Sequence, residues 1–360
     1  MRASRLALIV IVAFASVLGA CSAVSRVGAL RPPSEATAGV ANIARAPFTR
    51  VAQPPIQLGV GIDFYTYPGQ DVLSAAKKTI AYLKSLHANA ISISFPYFMH
   101  SPHASAVYAS GETPSPAELA QIAGLAEQAG LYVSLRPLLD EFAIGESRTN
   151  WKPQDPAAWF ASYQKLLLPY AEMAQQTKIP ELIDGTEFSV FGHSRLWNGL
   201  VGAIRKVYSG ALVYDNNWGI PVRGNGGRGV AEGVDAYEPI AVPANASQAK
   251  LTAGWTAYDR TLPRGTVELE VDIAAVPGAY LKPYQVSDWH EARLAPAIQV
   301  KWFTAACNAV VRAKLGGIYY WGVGLGQSTS ISPSLSEPAS WVDSAGATAV
   351  AACFQRTGAR

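Results

Sequence analysis

The chain has 360 residues, 49% of them hydrophobic and 15% charged, with a formal net charge of +3. That apolar share supplies a full buried core and excludes a disordered chain. So small a charge, with no basic stripe interleaved with aromatics, excludes a nucleic-acid surface.

Arg2 and Arg5 precede an apolar run over residues 6–18 that ends in Leu18-Gly19-Ala20-Cys21. Charge, a short apolar core and small residues at the cleavage point read as a secretory signal and not as a membrane span. Leu-Gly-Ala-Cys also resembles the lipobox of bacterial lipoproteins, whose cysteine becomes the lipid-modified first residue of the mature protein. The alternative is an ordinary signal peptide with a chance cysteine. The expectation is therefore a signal over residues 1–21, lipidation at Cys21 and an extracytoplasmic protein anchored to the envelope membrane, or secreted if Cys21 is not used. Residues 22–55, rich in Ala, Pro, Ser and Arg without a sustained period, read as a flexible linker. With Cys21 taken by lipid, Cys307 and Cys353 remain as an even pair in an oxidising compartment, either a disulfide or two buried thiols.

From residue 56 to 357 strand-like and helical patterns alternate. Gln57-Leu58-Gly59-Val60-Gly61-Ile62-Asp63 is followed by helical spacing over residues 71–87, then by the strand Ala90-Ile91-Ser92-Ile93-Ser94-Phe95. A capping box, Ser115-Pro116-Ala117-Glu118, opens the second helix, and Leu131-Tyr132-Val133-Ser134-Leu135-Arg136 is the third strand. Strands are expected next at 182–187, 211–218, 234–237, 266–272 and 317–321, with helices at 156–176, 195–208, 248–260, 295–313 and 338–354. Eight strand and helix units over roughly 300 residues predict a (β/α)8 barrel, an α/β fold whose chemistry sits on the loops after the strands.

Glu187, in Ile183-Asp184-Gly185-Thr186-Glu187-Phe188, and Glu270, in Val267-Glu268-Leu269-Glu270-Val271-Asp272, stand at the ends of the fourth and seventh of these strands. Two carboxyls so placed match the needs of a retaining glycosidase, in which one protonates the leaving oxygen and the other attacks the anomeric carbon from roughly 5–5.5 Å away. Residues 268, 270 and 272 alternate to one side of a regular strand, so all three are expected to face the barrel interior, where a nearby acid would raise the pKa of Glu270 or replace it as nucleophile. Glu270 is preferred, because Glu268 lies deeper on the strand and Asp272 past its end.

Gly185-Thr186-Glu187, the run from Val207 to Tyr214, Asn217-Trp218, and Glu270 followed by Val276-Pro277-Gly278-Ala279 together resemble glycoside hydrolase family 113, a retaining clan A family related to the β-mannanases. The likeness spans most of residues 56–325. It implies Glu187 as acid/base, Glu270 as nucleophile, and Trp321 on the eighth strand as the floor of the central sugar subsite. The chain departs from the family in reading Glu270-Val271-Asp272 where Glu-Ile-Gly is usual.

Further substrate-binding candidates lie on the same loop face: Asp63 and Tyr65 after the first strand, Arg136 after the third, Asn217 and Trp218 after the fifth, and Tyr237, which either holds the nucleophile's carboxylate or packs in the core. His193 is a candidate to tune Glu187, or else a capping or surface residue. Five histidines without a metal-binding spacing predict no metal, and Arg223-Gly224-Asn225-Gly226-Gly227-Arg228 lacks a dinucleotide fingerprint, so no cofactor is expected. The glycine-rich segment is read instead as shaping the cleft. The resulting expectation is a monomeric retaining glycoside hydrolase of β-linked poly- or oligosaccharides. The alternative is a catalytically silent sugar-binding lipoprotein of an envelope polysaccharide system.

Overall fold

A computed structural model describes residues 50–289, 293–326 and 333–358; the expected signal segment, Cys21 and most of the linker lie outside the described residues. Eight parallel strands, β1 (Gln57–Asp63), β2 (Ala90–Tyr97), β3 (Tyr132–Leu139), β4 (Glu181–Thr186), β5 (Ala211–Asn217), β6 (Ala231–Asp235), β7 (Val267–Val271) and β8 (Gly317–Gly324), close in sequence order into a barrel, with β8 pairing back onto β1. The connections carry α1 (Val72–Ser85), α2 (Pro116–Gln128), α3 (Glu141–Ile144), α4 (Pro156–Thr177), α5 (Leu196–Ile204), α6 (Gln248–Asp259) and α7 (Ala297–Ala313), and α8 (Ala345–Gly358) follows the last strand. The fold is the (β/α)8 barrel that the alternation predicts.

Local chemistry accounts for the element starts. Ser115 accepts from the Glu118 amide while Glu118 accepts from the Ser115 amide, the reciprocal box that satisfies two otherwise unpaired donors, and Pro116 needs no donor at the first helical position. Asp155 caps α4 in the same way through the Ala158 amide. The short α3 has no periodic signal in the sequence; it is made by Asp140 capping the Ala143 amide and by Gly145, whose φ of 64° closes it.

Several boundaries differ from the expected ones, and two of them bear on the barrel top. β6 begins three residues earlier than its apolar run and ends at Asp235, so Tyr237 lies beyond the strand. The last helix begins at Ala345 and not at 338, because the preceding segment runs through turns tied to the barrel: the Ala275 amide donates to the Pro338 carbonyl at 2.7 Å and Trp341 Nε1 to the Trp321 carbonyl at 2.7 Å.

Ala90, Tyr132, Ile183, Val213, Val267, Leu269 and Tyr319 fill the barrel interior, while a larger apolar cluster packs strands against helices. Below the interior residues, Tyr132 Oη donates to Glu181 Oε2 at 3.2 Å and Tyr319 Oη to Gln57 Oε1 at 2.7 Å, so the first residues of β1, β3 and β4 meet in a buried polar floor. Among the described residues no helix is long and apolar enough to cross a membrane.

Cys307 on α7 and Cys353 on α8 are joined by a disulfide, with Cα atoms 6.0 Å apart. The bridge closes a loop between positions 46 residues apart in sequence, which restricts the unfolded chain. Replacing both cysteines with serine should lower unfolding free energy in urea by roughly 2–4 kcal/mol. Equal midpoints for the parent and the double variant would contradict this.

Candidate active site

The carboxyl ends of the strands bring Glu187, Glu270, Asp63, Tyr65, Arg136, Asn217, Tyr237 and Trp321 to one face of the barrel. Glu187 directly follows β4 in the left-handed region at φ 58°, a conformation costly for a non-glycine residue, and its amide donates to the Asp215 carbonyl at 2.7 Å. Its side chain is nearly buried. Oε1 accepts from Asn217 Nδ2 at 2.9 Å, and Oε2 accepts from Arg148 at 3.2 Å. Burial pushes the Glu187 carboxyl up to about 7; Arg148 pulls against that shift and the Glu270 charge adds to it.

Glu270 sits across the barrel on β7 in a different setting. Oε1 accepts from Tyr237 Oη at 2.8 Å and Oε2 from Arg136 Nη2 at 2.9 Å. Burial alone would raise this carboxyl, but the charges of Arg136 and Arg148 and the two hydrogen bonds hold it below the usual glutamate value. The two glutamates are therefore held in opposite protonation states over a range of mildly acidic pH.

Trp321 forms part of the same surface. Its indole lies against Gly61 of β1, where an added Cβ would meet the ring at 2.4 Å, and the Arg136 guanidinium carbon is 5.3 Å from its ring centroid. Asp63, half-buried at the end of β1, is raised to about 6 by burial and then by the charge of Glu270. Tyr65 Oη donates to Asp140 Oδ2 at 2.9 Å, which ties the loop after β1 to the start of α3.

The common orientation expected for residues 268, 270 and 272 is not observed. Leu269 belongs to the barrel interior, and the ladder between β7 and β8 slips between Glu268 and Val271, so the alternation of a regular pleat is interrupted at the site. Glu268 is turned to the helix layer, towards Asp259 of α6, and burial, with the charge of Asp259 adding to it, keeps its pKa far above the ordinary value. Asp272 Oδ1 accepts from the Ile273 amide at 2.6 Å, and its carboxyl is likewise raised by burial.

His193 is exposed in the turn before α5; Arg148 and Asn217 occupy the contacts on Glu187. Trp218 stacks on Tyr284 with ring centroids 5.6 Å apart and 7° between planes. It also borders a cavity of about 960 Å³ between the loops after β5 and β6, lined in part by Pro221, Arg223, Glu238 and Ile240. The glycine-rich segment packs under this region: Gly226, at φ 70°, touches Tyr214 where a Cβ would lie 2.3 Å from that side chain. Among the described residues no group of three or more His, Cys, Asp or Glu could hold a metal ion.

Three contributors escaped the sequence reading. Asp215, near the end of β5, and Asp235, which ends β6, both reach Arg136 at 2.6 Å. They carry the strand-end signal that singled out Asp63. Arg148 stands in an irregular loop and has no such signal.

A closed eight-stranded parallel barrel with two differently tuned glutamates, one after β4 and one on β7, has the architecture of a clan A glycoside hydrolase. The chain belongs to glycoside hydrolase family 113, whose sequence model matches residues 63–321. A family 113 β-mannanase from Alicyclobacillus acidocaldarius, solved with the ligand ManMIm, superposes with a TM-score of 0.68 at 20% identity, covering 84% of this chain and 97% of that one. A second family 113 structure, described as a β-1,4-mannanase, gives 0.69 at 15% identity over 83% and 99% of the two chains. A broad-specificity endoglucanase of family 5 from Bacteroides salanitronis is more distant, at 0.51 and 14% identity over 86% and 96%. Comparison with curated protein sequences gives no significant match.

The contacts on the two glutamates predict how activity responds to pH. Rate should fall above about pH 7 as Glu187 loses its proton, and should fall again in strong acid as Glu270 gains one. Arg148 favours the ionised form of Glu187, so Arg148→Met should move the alkaline limb of kcat/KM to higher pH. Tyr237→Phe removes a donor to ionised Glu270; it should move the acid limb to higher pH and cost roughly ten- to a hundredfold in kcat. Profiles of both variants on one substrate test the assignments, and an alkaline limb that stays in place in Arg148→Met would rule out Glu187 as its source.

Proposed function

We propose that the protein hydrolyses β-linked glycans of the β-mannan type with retention of configuration, through Glu187 as acid/base and Glu270 as nucleophile. The observation that carries this reading is the opposite tuning of two buried glutamates, one raised to about 7 and the other lowered, in a member of a glycoside hydrolase family. The β-mannanase descriptions of the family 113 structures support the substrate class.

In the first step the Glu270 carboxylate attacks the anomeric carbon while the Glu187 carboxylic acid gives its proton to the departing glycosidic oxygen. The carbon–oxygen bond of the substrate breaks and an ester to Glu270 forms. In the second step Glu187, now a carboxylate, takes a proton from water, whose oxygen displaces Glu270 and restores both groups. Trp321 supplies an apolar platform for the reacting sugar, and the Trp218 wall beside the neighbouring cavity offers room for further units of the chain. Asp63 and Tyr65 are candidates for contacts to sugar hydroxyls. The Arg2, Arg5 and Leu18-Gly19-Ala20-Cys21 pattern supports lipid anchoring at Cys21 on the outer side of the membrane, where polymeric glycans are accessible.

A fluorinated slow substrate with a good leaving group should add one sugar mass to the peptide that contains Glu270, with fragmentation separating it from Glu268. Glu187→Ala should slow substrates with poor leaving groups far more than activated ones, because only the former need the proton. Label on Glu268, or an inverted product, would overturn the mechanism. Trp321→Ala should weaken substrate use with the fold intact by circular dichroism; an unfolded variant would reassign Trp321 to packing.

A further inference from the structure

One guanidinium nitrogen faces three acids. Arg136 Nη2 lies 2.6 Å from Asp215 Oδ2, 2.6 Å from Asp235 Oδ2 and 2.9 Å from Glu270 Oε2, and Arg136, Asp215 and Asp235 are fully buried. Three ionised carboxylates around one cation would leave two uncompensated charges out of water, at a cost of about several kcal/mol for each. At least one acid must therefore be neutral. Glu270 has a donor on each oxygen, which suits the ionised form, whereas among the described residues no donor reaches Oδ1 of Asp215 or of Asp235. The two aspartates stand on adjacent strands, and their Oδ2 atoms lie on the same guanidinium nitrogen, which brings two buried carboxyls close together. Like charges so placed resist ionising together, and one shared proton relieves the repulsion.

We propose that Asp215 and Asp235 share one proton and act together as a single negative charge on Arg136, as positioning residues that set how much of the guanidinium charge reaches Glu270. The proposal rests on the reading of Glu270 as nucleophile only for its consequence, not for the shared proton. Burial pushes Asp215 up to about 6 and Asp235 well above the ordinary aspartate value, with Arg136 pulling both down and Glu270 opposing it. The other titratable groups whose charge bears on the pair are Glu187 and Tyr237, with Tyr214 behind β5 and Tyr258 behind β6; none of them brings a compensating positive charge. With one proton held, the pair offsets Arg136, and Glu270 keeps both its negative charge and its hydrogen bond. With the pair neutral, Arg136 would over-stabilise the Glu270 carboxylate and blunt its attack.

The direct test is the carboxyl carbon-13 shift of Asp215 and Asp235 in the substrate-free, full-length protein at neutral pH, which needs neither a substrate nor a variant. One proton for the pair is expected; none or two would overturn the proposal. The functional arm compares Asp235→Asn and Asp215→Asn, each of which keeps one negative charge on Arg136, with the double variant, which keeps none. On an activated aryl β-mannoside, the acid limb of kcat/KM should stay within about 0.3 pH unit of the parent in the single variants and move down by about one unit in the double, with roughly tenfold slower turnover. A full unit in either single variant would mean that both aspartates were ionised. Absence of label at Glu270 in the trapping experiment would remove the catalytic consequence while leaving the proton count to stand or fall by itself.

Discussion

Arg136 has no exposure to water and touches acids from β5, β6 and β7, so the guanidinium is neutralised only if those strand ends converge on it. A buried cation without partners is among the most destabilising features a core can hold, and the same demand fixes the position of Glu270. The barrel top is thus organised by charge, above an apolar interior and the hydrogen-bonded floor beneath it. Trp321 completes the arrangement: its ring covers Arg136 from the β8 side, and Gly61 gives the ring its place.

The two glutamates illustrate how one scaffold produces two acid strengths. Both are nearly buried, so desolvation acts on each in the same direction. The difference lies in the donors. Glu270 is served by a fully buried arginine and a tyrosine hydroxyl, whereas Glu187 is served by the neutral Asn217 and by Arg148, whose charge is divided with Glu141. Ionisation is therefore favoured at one site and resisted at the other by partners that come from different loops.

Much of this could be read from residues alone, for definite reasons. Apolar runs broken by capped helices exposed the barrel, because a parallel strand buried on both faces must be almost wholly apolar and a helix must declare its start, as Ser115 and Glu118 do. Polar residues at the ends of such runs, Glu187, Glu270, Arg136 and Asn217 among them, stand out for the same reason. The orientation of Glu268 was not legible: strict alternation assigns it to the side of Glu270, and the slipped ladder beside β8 changes that side. A bulge has no signature in one strand's sequence, since it is a property of the pair. Arg148 was hidden for a related reason, as its contact with Glu187 depends on the path of an irregular loop. Asp215 and Asp235 were legible in principle, but their importance appears only when three strand ends are seen to share one cation.

Closure of the barrel has a consequence for the order in which the molecule can assemble. β1 and β8 are paired although nearly the whole described chain separates them, and the polar floor joins Gln57 of β1 to Tyr319 of β8. Contacts of such sequence separation form late, because the entropy of closing a long loop must be met before they reward the chain. The seam also carries chemistry, since Gly61 of β1 seats Trp321 of β8. A growing chain can gather the first four strands and Glu187, yet Gly61 has no Trp321 to seat until the last strand arrives. Completion of the barrel top in this molecule is therefore a single late event.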